Sequence, residues 1–265
     1  MAGFCELAIG LRAPESGSPG AKSPIVSGGC LKYSRFRETG TGDRVRSPLR
    51  GRVCSAKRYI LRLGRRHIGN VEPGLPRDEL KEATRLLRLA VSIDGNDPDA
   101  LAALAHETAF VSGDFDTAIE MVGRAIALNP NSARAWRDRG WIYRYAGQAE
   151  EAVRSFERAI RLSPLDPMLF IVLTGMGLAF IELGRFREAV VVARRALRQN
   201  QTYPATRRCL AASLAHLGYD AEAKEAVVQL LRLDPNFSLS QFVVRGGQLH
   251  ASLFIEGLRK AGLPE

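Results

Sequence analysis

Four glycines, Gly113, Gly147, Gly184 and Gly218, recur at separations of 34, 37 and 34 residues. Five residues after each stands an alanine (Ala118, Ala152, Ala189 and Ala223), and seven residues later come Ala125, Ala159, Ala196 and Leu230. Prolines close three of the units, at Pro130, Pro164 and Pro235, while the remaining unit runs out at Tyr203 and Pro204. The single longer spacing comes from a three-residue insertion in the stretch SPLDP, Ser163 to Pro167. A unit this short reads as a helix, a tight turn and a second helix. Glycine takes the turn conformation that other residues resist. The alanines let two helix backbones approach where they cross, Trp136, Tyr143 and Phe156 fill the space between helices, and proline stops the second helix. One such hairpin leaves an apolar face open, so neighbours must stack on it.

The fullest unit is WRDRGWIYRYAGQAEEAVRSFERAIRLSP, Trp136 to Pro164. Trp136, Gly140, Tyr143, Ala152, Phe156, Ala159 and Pro164 stand at the offsets of the tetratricopeptide (TPR) signature. The expected fold is all-α: an α-α superhelix (TPR solenoid) with a disordered basic N-terminal segment. The boundaries follow the repeat. Residues 1–55 are rich in Gly, Ser, Pro and Arg and bury too little apolar surface to offset the entropy of ordering. Residues 56–97 read as a degenerate first helical repeat, with apolar residues at three- and four-residue steps (Leu80, Ala83, Leu86, Leu87, Ala90). Four repeats occupy 98–132, 133–166, 167–203 and 204–236, and residues 237–265 form a C-terminal capping helix region.

Two stretches go beyond the generic repeat. RAIRLSPLDPMLFIVLTGMGLAFIELGRFREAV and the terminus FIEGLRKAGLPE resemble the C-terminal tetratricopeptide region of bacterial adenylate/guanylate cyclases of rhizobial type, over roughly residues 57–265. In that family a nucleotide cyclase domain or a winged-helix DNA-binding domain precedes the repeats. Residues 1–56 are too few for a cyclase domain and carry no strand pair with metal-binding aspartates. The resemblance therefore implies a regulatory or scaffolding role and transfers no catalytic residue. It also raises the alternative that residues 1–55 are a start-site or frameshift product standing in place of an upstream domain.

The net charge of +10 is local. Residues 1–70 hold 14 Lys and Arg against 4 Asp and Glu, and the remainder holds 24 of each. Only the N-terminal arm would attract a polyanion by bulk charge. With Tyr33, Phe36 and Tyr59 as its few stacking aromatics, nucleic acid is not the expected partner. Cys5, Cys30, Cys54 and Cys209 form no close pair and the histidines are scattered, so no metal site and no cofactor are expected, and the cysteines read as free thiols. The longest uncharged apolar run, Met168 to Ile181, has 14 residues, short of the ~20 needed to span a bilayer. With no convincing secretory signal, a cytoplasmic protein without a membrane partner is expected.

No enzyme is expected. GSPGAKS lacks the glycine before lysine that a phosphate loop needs. GTGDRV, from Gly40, lacks a third glycine. His67, His106, His216 and His250 have no nucleophile set beside them, and His106 reads as a packed imidazole. No small-molecule substrate is indicated. A groove is a better candidate. In the repeat family the second, fifth, ninth, twelfth and thirteenth residues of each first helix point into the concave face. The second repeat then presents Arg134, Arg137, Trp141, Arg144 and Tyr145, with Phe110 from the first repeat and Arg208 from the fourth. Arginine forks grip carboxylates two-pronged and stiff aromatics give apolar contact, a combination suited to an acidic or amphipathic protein segment. The alternative is that these arginines pair with Asp138 and other local acids on an ordinary solvated surface. The lysines and asparagines with which the chaperone-binding variant clamps a terminal carboxylate are absent from these positions.

Overall fold

The computed structural model describes residues 77–244 and 252–265, so the expectations for residues 1–76 lie outside the described residues. Every regular element among these is helical. α1 (Arg77–Ile93) leads into α2 (Pro98–Glu107), whose first turn is closed by the Asp97 carboxylate accepting from the amides of Asp99 and Ala100. α2 runs on into a π turn, Thr108–Ser112, before Gly113. There follow α3 (Phe115–Leu128), α4 (Ala133–Tyr145), α5 (Ala149–Leu162), α6 (Leu169–Glu182), α7 (Phe186–Gln199), α8 (Pro204–His216) and α9 (Asp220–Leu233). Asp114 and Ser132 cap α3 and α4 by accepting from Thr117 N and Ala135 N, as short oxygen-bearing side chains do at helix starts. α10 (Leu239–Val244) and α11 (Ser252–Lys260) complete the described chain.

Consecutive helices pair as hairpins, α2 with α3, α4 with α5, α6 with α7 and α8 with α9, and each second helix packs on the first helix of the next pair. The repeat glycines sit at the hairpin turns with positive φ, from 66° at Gly113 to 75° at Gly147 and Gly218. At Gly113, Gly184 and Gly218 the requirement is purely conformational, since a Cβ there would meet nothing within 4 Å. Gly140 is glycine for a different reason. A Cβ at that position would lie 2.5 Å from the Phe156 ring, so α4 and α5 close directly over that phenylalanine.

Phe156 is wholly enclosed, whereas Trp136 and Tyr143 are half-buried at the edge of the core. There Arg139 lies across both rings and Trp136 Nε1 donates to the Pro130 carbonyl at 2.8 Å. The repeat alanines, Ala118, Ala152, Ala189 and Ala223, are fully buried where helices cross. First helices also touch one another, α2 with α4, α4 with α6 and α6 with α8, while second helices have few such contacts. A stack built this way curves toward its first helices, which therefore line the inner face.

Candidate functional site

The inner face divides in two. On α2 and α4 part of it is open. The π turn after Glu107 ends on Gly113 with a bond from Gly113 N to Ala109 O at 3.2 Å, where the other repeats close past the glycine with bonds such as Gln148 N to Tyr143 O at 2.8 Å. The widened turn throws Phe110 and Val111 outward, 46% and 45% exposed. Phe110 borders an aromatic group in which it, His106 and Tyr145 lie 5.8 to 6.4 Å apart, His106 and Phe110 nearly parallel. Tyr145 continues into Trp141 at 5.8 Å.

Beside these rings lies a charged cluster. Arg137 holds Asp138 at 2.8 Å and Arg134 approaches the same carboxylate at 3.5 Å. Asp138 is buried, which by itself would raise its pKa, but the guanidiniums of Arg137 and Arg134, with His106, hold it below the ordinary carboxylate range. Glu107 shows the opposite balance. Burial pushes its carboxyl up to about 7, against the lowering effect of a hydrogen bond with Thr84, and its Oε1 has no hydrogen-bond partner. Two guanidiniums therefore face an ionised Asp138 and a Glu107 that is only partly ionised near neutral pH, leaving the cluster net positive.

Not every residue expected in the groove is available there. Trp141 is 6% exposed, its indole edge-on to Phe156 at 5.8 Å, and it packs as core. Arg144 is 8% exposed and spent on an internal ion pair with Glu182 at 3.1 Å, joining α4 to α6. Arg208 is 4% exposed and sits between the rings of Phe237 and Phe242, at 5.0 and 5.1 Å. Its burial pushes the guanidinium pKa down to about 10, so it stays charged near neutral pH. Their assignment to an open groove is corrected accordingly: Trp141 and Arg144 pack inward from α4, and Arg208 is covered by Phe237 and Phe242. Arg134, Arg137, Tyr145 and Phe110 remain together at the surface, joined by Val111.

On α6 the inner positions Ile171, Thr174, Leu178 and Ile181 are all buried, and Thr174 meets Thr206 of α8 hydroxyl to hydroxyl at 2.7 Å. α11 packs on α8 and α6. The alternative in which the arginines pair with local acids holds for Arg134 and Arg137, but the shared acid is buried rather than solvated. Arg144 reaches an acid 38 positions away, which no local pattern signals. Among the described residues no three metal-ligating side chains converge and no helix is long and apolar enough to cross a membrane. Cys209 is a buried free thiol whose pKa burial pushes up to about 12.

Comparison with known proteins supports this architecture. Residues 105–169 match the tetratricopeptide repeat family model. The chain is 31% identical over 104 residues to the small glutamine-rich tetratricopeptide repeat-containing protein 2 of Mycosarcoma maydis, covering 39% of this chain and 29% of that protein. It is 31% identical over 112 residues to the Hsp70-Hsp90 organising protein of Plasmodium falciparum, covering 41% and 42% respectively. The chain thus spans less than half the length of these relatives. A thermophilic TPR protein of Thermus thermophilus superposes with a TM-score of 0.55 at 21% identity, over 74% of this chain and 98% of that one. The described residues form a tetratricopeptide solenoid.

Proposed function

We propose that this chain is a non-catalytic, cytoplasmic scaffold that receives an acidic or amphipathic segment of a partner protein on the inner face of its first two repeats. The observation that carries the reading is the exposed pair Phe110 and Val111, set by the π turn beside Tyr145 and the net-positive Arg134–Arg137–Asp138 cluster. A half-exposed aromatic next to guanidiniums is the composition of a binding hot spot. The organising role named for the Plasmodium relative is consistent with a scaffold, but its chaperones are not carried over: Arg134, Arg137, Trp141, Arg144 and Tyr145 stand where chaperone-clamping repeats use lysine and asparagine.

The test is affinity capture with the full chain beside Phe110→Ser/Val111→Ser. Trp141→Ala is a poor probe because that ring is core. A partner held by the wild type and lost by an equally stable variant supports the reading, and equal recovery by both sinks it.

A second reading places the same scaffold in a nucleotide-cyclase signalling system, as a module beside a catalytic domain. What favours it is the SPLDP insertion together with the FIEGLRKAGLPE ending, the latter forming α11 and its tail. It predicts altered cyclic-nucleotide output only when the enzyme is present.

A further inference from the structure

α11 lies where a groove ligand would lie. A further repeat would stack on α9, but α11 instead packs on the inner helices α8 and α6. It covers α8 at positions that in an open solenoid would face a partner. A Cβ on Gly257 would fall 2.7 Å from the Ala212 carbonyl oxygen and 2.9 Å from its Cα, so the two backbones touch. His216 Nε2 meets the Leu253 carbonyl at 2.6 Å. Phe254, Ile255, Leu258, Ala261 and Leu263 are buried, while Glu256, Arg259 and Lys260 stay outside. That is the helix-in-groove mode of recognition, with apolar anchors at i, i+4 and i+7.

The length of α11 shows that this closure is held by docking and not by the helix itself. α11 has 9 residues, well under the ~12–15 at which an isolated helix becomes even marginal in water. The segment before α11 buries a charge of its own. Leu239 N donates to the Pro264 carbonyl at 2.8 Å, which ties the tail to the start of α10, and between them Phe237 and Phe242 desolvate Arg208 while its Nη1 has no hydrogen-bond partner.

We propose that residues 252–265 are a built-in ligand of the inner face of α6 and α8, and that this groove takes in trans an amphipathic partner helix of the same chemistry. Such a helix has apolar residues at i, i+1 and i+4 and a glycine at i+3, where it crosses Ala212. The tethered helix has the advantage of high effective concentration, so the wild-type groove is closed until a partner out-competes it. The proposal is independent of any binding at the first two repeats, because it concerns a different pair of helices.

The probe is a fluorescent peptide of residues 252–265, titrated into the full-length chain and into full-length Gly257→Leu, with binding read by anisotropy. Leucine is a good helix former, so the substitution evicts α11 from α8 without weakening the helix intrinsically. The expected result is peptide binding at least tenfold tighter by the variant than by the wild type. Equal binding, or none by a variant that keeps its helical content, overturns the proposal. Should Gly257→Leu fail to fold, amide hydrogen exchange on the wild type decides. α11 exchanging at least tenfold faster than α8 supports reversible docking, and exchange of both only through one common opening overturns it.

Discussion

The two halves of the inner face use the same repeat to opposite ends. Three residues before the turn glycine stands Phe110 in the first repeat, 46% exposed, and Ile181 in the third, wholly buried. The π turn of α2 lifts the one outward, whereas the other is held beneath its neighbours in a half that α11 closes from above. Between them stands Arg144, whose guanidinium is sealed against Glu182. An inner position in a solenoid is therefore not by itself a binding position. Its availability depends on the local turn and on what else the chain brings to that face.

The sharpest test of that boundary is the sealed pair. Arg144→Met leaves Glu182 as a buried carboxylate without its counter-ion, and should cost about 3–5 kcal/mol in a denaturant melt. Arg144→Met/Glu182→Met removes both charges and should recover most of the loss. If the single variant costs no more than a surface change, Arg144 belongs to the open half after all.

In the open half, Glu107 makes stability depend on pH. Its folded pKa is about 7 against an ordinary 4.5, so folding favours the protonated form. The contribution is fully present below about pH 4.5, is lost as pH rises through 7, and is flat above. The size is about 2 kcal/mol, from 1.36 kcal/mol per pKa unit with an allowance for residual solvent. Glu107→Gln should flatten the pH dependence of the melting midpoint across that window. An unchanged slope in the variant would assign the dependence to other groups.

Much of the fold was legible because its determinants are local. Gly113 and Gly147 mark turns through a backbone preference, and Ala118 and Ala152 mark crossings through size. Both recur at fixed spacing, so the hairpins can be read without knowing how they stack. The site was only partly legible. Asp138 is a near neighbour of Arg134 and Arg137, and that pairing can be seen in one helical turn. Glu182 lies on a helix two elements beyond Arg144, and Phe237 and Phe242 reach Arg208 from outside the repeats, so burial of these arginines depends on tertiary return of the chain. The π turn has no composition signal of its own in TAFVS. One clue to the closed half did stand in the sequence: Gly257 interrupts an otherwise good amphipathic helix, and a glycine there is explained by close backbone approach.

Gly147→Val and Gly184→Val control the comparison. Both are exposed and carry positive φ, 75° and 69°, one in each half. Each should cost roughly 1 kcal/mol or more through backbone strain alone, and the two costs should agree. A large difference between them would mean that the halves differ in backbone tolerance as well as in occupancy.

The smallest expected effect on stability is the most informative about the site. Phe110→Ser removes an aromatic that gives little to the core, so thermal or denaturant unfolding should move by no more than about 0.5 kcal/mol. Ile181→Ser at the equivalent inner position deletes a fully buried side chain and places a hydroxyl there, and should cost about 3 kcal/mol or more. If Phe110 is a contact residue, its variant will keep the fold and lose the partner. Should Phe110→Ser destabilise the chain as Ile181→Ser does, its ring is structural, and the first two repeats are as closed as the last two.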